Sequence, residues 1–581
     1  MNSTESAKRP SGKRPKKRKF TGNMHTRCKA VHSVVETLNN SASGKKIRLQ
    51  DVDSSFIEHD CFDGYRVFDK TIMFTNIQSF ASCKKCGGDI NFSEKCVRDL
   101  SSVFSIECKN CKDLCSFRNS KMLGKRKNIP EINRRIVYAM RTIGQGHAAM
   151  TTFCGVMDFP PPVAEKSYNN IINKLQLCSK EVAEASMQSA ALEEVTLTNS
   201  SDIIISGDGT WKTRGYSSRV GVCAVIGDKT GKCIDAEVMS SFCKGCDSWK
   251  RRKGSPAYKK WKILHVKECL KNHNCSAGMM ETVGMVRIFQ RSLNHRSVRY
   301  TSYIGDGDSK TFSSITASNP YGEDITVSKI ECVGHVQKRM GTRLRKLKQM
   351  TSKLSDRKSI GGKGRLTDLI TTYYGNAIRQ NKTCLSDMRK AVWAVYFHRR
   401  SNDEEPLHSF CPVGPNSWCK YQNQVVEGSV EIFRHSNKLP VAVMDAIKPV
   451  FNDLSQPKLL QKCLGGKTQN NNESINSLIW KLCPKTLGCG RKIVDISTNE
   501  AIVIFNDGNQ GRLKIMQSLG LTVGQFAHKF VTLVDIKRIQ IAEVHFNLRT
   551  KEVRQAKRMQ FKTTCKKLTE KEGTSYACGE F

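Results

Sequence analysis

Two closely spaced pairs of cysteines constrain the fold of this chain more than any other feature of its sequence: Cys83-x2-Cys86 and Cys108-x2-Cys111. Strand-like sequence lies between the pairs, and two such knuckles are the signature of a structural zinc ribbon with four thiolate ligands. Three neighbouring cysteines could replace one of these ligands: Cys61, Cys96 and Cys115. The spacing therefore predicts a small zinc-dependent module near the amino terminus.

The metal-ligand interpretation of cysteine depends on the cellular compartment. The sequence contains no apolar stretch of the roughly 20 residues that a membrane-spanning helix needs, and no signal peptide opens it. We therefore expect an intracellular protein with no membrane partner, in which the 25 cysteines stay reduced. Closely spaced cysteines then indicate metal sites, and the others indicate small core residues.

A second set of metal-ligand residues has the pattern Cys243-x2-Cys246 with His265-x3-Cys269. Histidine and cysteine four residues apart project from one helical face, which suits tetrahedral zinc. Two other residues compete as ligands: His273 and Cys275. Four later residues could form a third zinc site: His398, His408, Cys411 and Cys419. One pair without nearby partners is equally suited to a metal site or to the protein core: Cys332 and His335.

The apolar pattern changes period at about residue 200 and then predicts an α/β core. Strands are expected at Ile203–Ile205, Arg219–Ile226, Cys233–Ser240 and Val298–Ile304, and a helix at Met279–Leu293 precedes the last of these strands. Outside this core, helical spacing dominates residues 130–195 and 335–460. Two short strands are expected around the first cysteine pairs: Thr71–Thr75 and Val103–Ile106.

Two aspartates follow expected strands and are flanked by glycines, Asp208 and Asp306. Carboxylates held rigidly at strand ends suit Mg²⁺ or Mn²⁺, and the glycines leave room for a phosphate. Ordinary Asp-Gly turns are the alternative. Glu473 and Asn476 share one face of a helix that is expected to start near Asn472, where helix capping is the alternative.

Four motifs together resemble the Mutator-like transposase domain: Asp-Gly-Thr-Trp at 208–211, Tyr-Ile-Gly-Asp-Gly-Asp at 303–308, Cys332-Val-Gly-His335, and Asn-Asn-Asn-Glu-Ser-Ile-Asn at 470–476. The resemblance covers residues 60–581 and implies an RNase H-like core with an Asp-Asp-Glu triad. It also implies a Cys-x2-Cys insertion and a helical insertion before the glutamate. By position Asp208, Asp306 and Glu473 match the triad, and Asp308 is the alternative for the second acid.

The resemblance implies a DNA transposase whose three acids hold two divalent ions, Mg²⁺ or Mn²⁺, for cleavage and strand transfer at transposon ends. One alternative is a domesticated, catalytically silent, zinc-containing DNA-binding or regulatory protein that derives from a transposase. Another is a metal-dependent nuclease that cuts DNA without joining it. The expected fold class is α+β/α multidomain: an RNase H-like mixed α/β core with a zinc-binding insertion and a helical insertion, preceded by a zinc ribbon.

The expected domain organisation follows from these motifs and periods. In chain order it is a basic disordered tail (1–25), a zinc ribbon-like domain (61–120), a helical region (125–198), the first part of the catalytic core (200–335) with its zinc insertion (241–276), a helical insertion (336–465), the end of the core with the third acid (466–545), and a basic C-terminal tail (546–581).

The chain is strongly basic, with 95 Lys and Arg against 53 Asp and Glu and a formal net charge of +42. Residues 1–20 form a basic segment that predicts nuclear import or a nonspecific DNA-binding arm. A basic amphipathic helix opens a second cluster at 338–365, for which a solvated face is the alternative. Six of its side chains are expected to contact DNA phosphates: Lys338, Arg339, Arg343, Arg345, Lys346 and Lys348. We predict a nuclear protein that binds double-stranded DNA. The resemblance implies that this DNA is the transposon ends and the target, and we expect a homo-oligomer on the DNA.

Overall fold

A computed structural model describes residues 41–47, 64–124, 129–213, 217–306, 310–350, 366–414, 417–435 and 439–547. The basic tail expected at 1–25 lies outside the described residues, as does the basic C-terminal tail expected at 546–581 apart from its first two residues, which end a helix. The described residues form two compact units, with the chain divided after Arg48 and after Asp535. In the smaller unit, Ser41 precedes α1 (Ala42–Lys46) and donates its backbone N–H to Glu543 Oε1 at 2.6 Å.

The first sheet of the larger unit lies around the paired cysteines and has three antiparallel strands: β1 (Ile90–Arg98), β2 (Ser101–Cys108) and β3 (Leu114–Arg118). The strand expected at Val103–Ile106 is confirmed, because it lies within β2.

The strand expected at Thr71–Thr75 is wrong, because α2 (Lys70–Phe80) occupies this segment. Asp69 caps α2 by accepting a backbone N–H at 2.9 Å. Phe74 of α2 stacks on Phe92 of β1 with ring centroids 4.7 Å apart. Capping and packing therefore outweigh the strand preference of the β-branched residues in this segment.

A helical region connects the first sheet to the central one, as its periodicity predicts. Its longest helix, α5, has 34 residues and is capped by Asn199, which takes up the left-handed conformation with φ 52°. The elements of this region are β4 (Met122–Leu123), β5 (Ile129–Pro130), α3 (Glu131–Thr142), α4 (His147–Val156) and α5 (Glu165–Thr198).

The central sheet has five strands: β6 (Asp202–Trp211), β7 (Val220–Gly227), β8 (Cys233–Ser240), β9 (Arg299–Gly305) and β10 (Ser328–Glu331). Their order is β10-β9-β6-β7-β8, in which β6, β7 and β8 are antiparallel neighbours and β9 and β10 run parallel to β6. The four strands that the apolar runs predict are confirmed. The fifth, β10, is too short and polar to be recognised from its sequence.

Helices make up most of the chain after β8. In chain order they are α6 (Lys244–Ser248), α7 (Pro256–His265), α8 (Met279–Arg296), α9 (Lys310–Ala317), α10 (Val333–Met350), α11 (Leu366–Gln380), α12 (Leu385–Arg400), α13 (Lys420–Val426), α14 (Val441–Leu454), α15 (Pro457–Gln461), α16 (Asn470–Leu482), α17 (Arg491–Asp507), α18 (Gly511–Ser518) and α19 (Gln525–Asn547). Among the described residues, no helix combines the length and the apolar character that a membrane crossing requires.

Helices cover both faces of the central sheet, so its core has the three layers of an α/β fold. On one face α8 packs against Cys223 and Val225 of β7. On the other face α16 and α17 pack against Val222 and Ala224. Alternate residues of β7 thus point to opposite layers, as the two-residue period of a strand dictates. Five of the later helices, α10, α11, α12, α14 and α15, bury a separate apolar core, which includes Tyr374.

Candidate catalytic site and metal clusters

Asp208 lies within β6 and not at its carboxyl end, because the strand continues to Trp211. The expectation that Asp208 follows the end of its strand is therefore wrong. Pairing with β7 extends the strand past both glycines. Asp208 Oδ2 accepts a hydrogen bond from Asn476 Nδ2 at 2.8 Å. Burial raises the pKa of Asp208 to about 6 and outweighs the opposing effect of its hydrogen bonds.

The side-chain amides of Gln469 and Asn472 bind the start of α16 to the central sheet. The fully buried Asn472 donates to the backbone oxygens of Ser206 and Ala224 at 3.2 Å each. Its Oδ1 accepts from Ser206 Oγ at 2.6 Å. Gln469 Nε2 donates to Gly207 O at 2.7 Å. These bonds fix the register of α16 on β6 and β7, and with it the positions of Glu473 and Asn476.

The other two predicted acids are exposed. Asp306 directly follows β9, and its Oδ1 lies 3.7 Å from His335 Nδ1 and 3.9 Å from Arg339 Nη2. Glu473 lies in the first turn of α16, where its Oε1 is 3.4 Å from Lys338 Nζ. Asp308, the alternative second acid, lies outside the described residues.

A fourth carboxylate, Glu281 in the first turn of α8, lies beside these acids. A Cβ placed on Gly209 would be 2.9 Å from Glu281 Oε2, so the carboxylate lies directly against the strand of Asp208. Burial, and to a smaller extent the negative charges of Asp208 and Asp306, raise the pKa of Glu281 to about 7. Sequence reasoning misses this residue, because an acid in the first turn of a helix is ordinary.

The four acids lie near one another, but their oxygen atoms do not form one coordination sphere. The charge of Glu473 raises the pKa of Asp208, and the charges of Asp208 and Asp306 raise that of Glu281. Among the described residues, no three of their oxygens form a group within 4.8 Å. The exposed side chains of Asp306 and Glu473 would have to rotate inward to share a cation with Asp208. Oxygen ligands of this kind suit Mg²⁺ or Mn²⁺.

Cys332 and His335 border this acid cluster. Cys332 is buried just before α10, and its hydrogen bond raises the pKa of His335. The His335 ring in turn faces Asp306. The pair belongs to no group of three or more metal ligands among the described residues.

The four cysteines predicted to form the zinc ribbon come together in the structure. Cys83 Sγ lies 3.6 Å from Cys111 Sγ, and Cys86 Sγ lies 3.5 Å from Cys108 Sγ. Ligands of one tetrahedral zinc ion are about 3.3–3.8 Å apart. Of the three alternative ligands, Cys115 is exposed on β3. Cys61 and the side chain of Cys96 lie outside the described part of the chain. This cluster could bind zinc.

The second predicted quartet also comes together, in the insertion between β8 and α8. Cys243 Sγ lies 3.3 Å from His265 Nε2, and Cys246 Sγ lies 3.5 Å from Cys269 Sγ. The competing His273 instead contacts a backbone oxygen at 2.9 Å. Like the first cluster, this quartet could bind zinc. A third group of ligand atoms within 4.8 Å contains the four later candidates: His398, His408, Cys411 and Cys419.

The basic helix α10 runs directly beside the acid cluster. Its apolar face is buried as the periodicity predicts, through Val336, Met340 and Leu344. Four of its six candidate DNA-binding side chains have an acidic partner: Lys338 with Glu473 at 3.4 Å, Arg339 with Glu331 at 2.8 Å, Arg343 with Asp453 at 2.8 Å, and Arg345 with Asp368 at 3.9 Å. Lys346 is exposed, and Lys348 is half-buried. DNA phosphates would therefore compete with carboxylates for most of these basic side chains.

Comparison with known proteins identifies the family. The model of the Mutator-like transposase family matches residues 64–419, which is more than half of the chain. The matched segment includes Asp208, Asp306 and all three Cys/His clusters, whereas Glu473 lies beyond it. No curated protein and no solved structure matches the chain. The chain belongs to the Mutator-like transposase family.

Proposed function

We propose that this protein is a DNA transposase that cuts and joins DNA at transposon ends, with Asp208, Asp306 and Glu473 as its metal-binding triad. The observation that carries the proposal is the docking of α16 on β6, in which Asn476 holds Asp208 while Glu473 lies three residues away on the same helix. The sheet order, with three antiparallel strands followed by two parallel ones, supports an RNase H-like core.

Each residue of the site would have its own role in phosphodiester cleavage. Bound Mg²⁺ or Mn²⁺ ions would supply activation of a water or a DNA 3′-hydroxyl and stabilisation of the leaving oxygen. Asp208 would hold a cation rigidly, because the strand and Asn476 fix its carboxylate. Glu281 would add negative charge next to Asp208. Lys338 and Arg339 would orient the DNA phosphates beside the acids.

One observation favours the alternative of a catalytically silent DNA-binding protein. Basic side chains of α10 lie near two of the three acids, with Lys338 3.4 Å from Glu473 and Arg339 3.9 Å from Asp306. Such pairs could neutralise the acids permanently. In the proposed transposase they would instead turn to the DNA phosphates when cations bind.

The proposal is tested by incubating purified protein with Mg²⁺ and a DNA substrate that carries the native element's ends. We expect cleavage at the ends followed by joining to a target. Asp208→Asn, Asp306→Asn and Glu473→Gln should each abolish cleavage but spare DNA binding, because each removes a charge that the cations need. Combining two replacements should do no further harm, because the triad acts as a unit.

Two control variants make this test specific. Glu323→Gln changes an exposed acid away from the cluster and should leave cleavage normal. Asp308→Asn should leave cleavage measurable if Asp306 is the second ligand. Binding without cleavage by the wild type would favour the silent protein, and cleavage without joining would favour a nuclease. Near-normal cleavage by Asp208→Asn would overturn the triad.

A further inference from the structure

Two histidines and two cysteines meet where α12 is joined to α13. His398 lies in the last turn of α12, Cys419 immediately precedes α13, and His408 and Cys411 lie in the connecting loop. The two Nδ1 atoms are 3.2 Å apart. Cys411 Sγ is 3.6 Å from each Nδ1, and Cys419 Sγ is 3.6 Å from that of His398 and 3.4 Å from that of His408.

These distances match the edges of a metal-centred tetrahedron. Zinc binds nitrogen at about 2.0–2.1 Å and sulfur at about 2.3 Å, which places tetrahedral ligand atoms roughly 3.3 Å apart for two nitrogens and 3.6 Å apart for nitrogen and sulfur. A set of two nitrogens and two sulfurs in this geometry is typical of zinc. We propose that His398, His408, Cys411 and Cys419 form a closed, structural zinc site.

The surroundings of His408 support the proposal, because metal-bound histidines usually donate their second ring N–H to a fixed partner. His408 Nε2 lies 2.9 Å from Ser401 Oγ, which is itself 2.9 Å from His435 Nε2. His435 Nδ1 lies 2.7 Å from Asp403 Oδ1. With Nδ1 of His408 on the metal, one consistent chain of donors runs from His408 through Ser401 and His435 to the Asp403 carboxylate.

The site would also hold the described residues of a long connection in place. The described residues between Arg400 and Lys420 form neither helix nor strand, and structureless loops of this length are uncommon in compact domains. A metal held by His398, Cys411 and Cys419 would tie the end of α12, the loop and the start of α13 together. The loop then forms one wall of a cavity of about 1330 Å³, to which it contributes Phe410 and Trp418.

Zinc analysis of the full-length protein, purified without chelator, tests this site. With the two other clusters filled, we expect three zinc ions per chain, one for each Cys/His group. A Cys411→Ser/Cys419→Ser variant should lose one equivalent and keep the rest. Cys384→Ser is the matched control, because Cys384 precedes α12 in the same helical region but belongs to no ligand group. Wild-type zinc content in the double variant would overturn the proposal.

A second variant covers the case in which the double replacement unfolds the region and releases more than one equivalent. A Ser401→Ala/His435→Ala variant keeps all four ligands and removes both side-chain contacts of His408 Nε2, each at 2.9 Å. Loss of such a partner typically weakens metal binding about 10–100-fold. In a competition with a chelator, one zinc equivalent should therefore leave at lower chelator concentration than in the wild type. Identical release of every equivalent would also overturn the proposal.

Discussion

At the scale of single residues, the four acids divide into a partly buried pair and an exposed pair. Burial raises the pKa of Asp208 to about 6 and that of Glu281 to about 7. The side chains of Asp306 and Glu473 are 62% and 60% exposed. Without a cation, ionising the buried pair costs folding free energy, whereas a bound divalent ion favours the ionised forms. If the acids bind a divalent cation as proposed, the bound ion offsets this loss of stability.

Glu281→Gln tests this loss through the pH dependence of stability. The folded-state pKa of Glu281 is about 7, above its ordinary value of 4.5. The protonated carboxyl therefore contributes fully to the free energy of unfolding below pH 4.5. This contribution is lost as the pH rises through 7. In protein without added divalent cation, Glu281→Gln should melt at a higher temperature than the wild type at pH 8, and the two should nearly coincide at pH 4.5.

The exposed Glu323→Gln is the control for this measurement and should melt like the wild type at both pH values. Added Mg²⁺ should stabilise the wild type more than Glu281→Gln, because the variant retains one negative charge fewer beside Asp208. A Glu281→Gln variant that melts below the wild type at pH 8 would contradict this account of Glu281.

At the scale of elements, α10 connects the acid cluster to the basic surface. Replacement of Arg343, Arg345 and Lys346 by Ala should reduce the slope of log DNA affinity against log salt by about 0.9 for each DNA phosphate that the variant no longer neutralises. Two of these side chains already have acidic partners, so the total change should be smaller than three neutralised phosphates would give. Binding measured at several salt concentrations gives the slope.

A charge-matched variant controls for the loss of three positive charges. Lys448, Lys458 and Lys514 are exposed on three other helices, and their replacement by Ala should change the slope less. Equal slopes for the wild type and the α10 variant would mean that this helix faces solvent in the complex with DNA.

The elements that the sequence predicts are those with a strong local signal. The runs of β6 to β9 are apolar enough to be recognised, and the cysteine spacings predict the members of two Cys/His clusters that the fold brings together. The segment Thr71–Thr75 misleads, because its helix depends on a cap and on aromatic packing that residue preferences do not contain. Glu281 is missed because only the fold places it against Gly209, which is distant from it in sequence.

At the scale of the whole molecule, separate cores stabilise separate regions. The helices α10, α11, α12, α14 and α15 bury their own apolar cluster, and the central sheet buries two others. The first sheet depends far less on apolar burial, because β3 is exposed throughout. We therefore expect its stability to depend on the four-cysteine cluster, since small modules of this kind need their metal to fold.

Cys86→Ser should unfold the first sheet locally and leave the central sheet intact. Limited proteolysis should then cut within residues 64–118, while the segment from α5 to β9 stays protected, and one zinc equivalent should be lost. Cys115→Ser is the matched control, because Cys115 lies on β3 outside the cluster and its replacement should change neither result. Retention of protease resistance and zinc by Cys86→Ser would contradict this assignment.

The docking of α16 has a consequence for how the protein is synthesised. Asp208 and Asp306 leave the ribosome well before Asn472 and Glu473, because the whole helical segment from α10 to α15 is translated between them. Until α16 emerges, the backbone oxygens of Ser206 and Ala224 lack the amide donor that they have in the finished fold. A nascent chain therefore carries two acids without the third. If the triad is catalytic, the newly made protein cannot cut DNA until α16 has emerged and docked on β6.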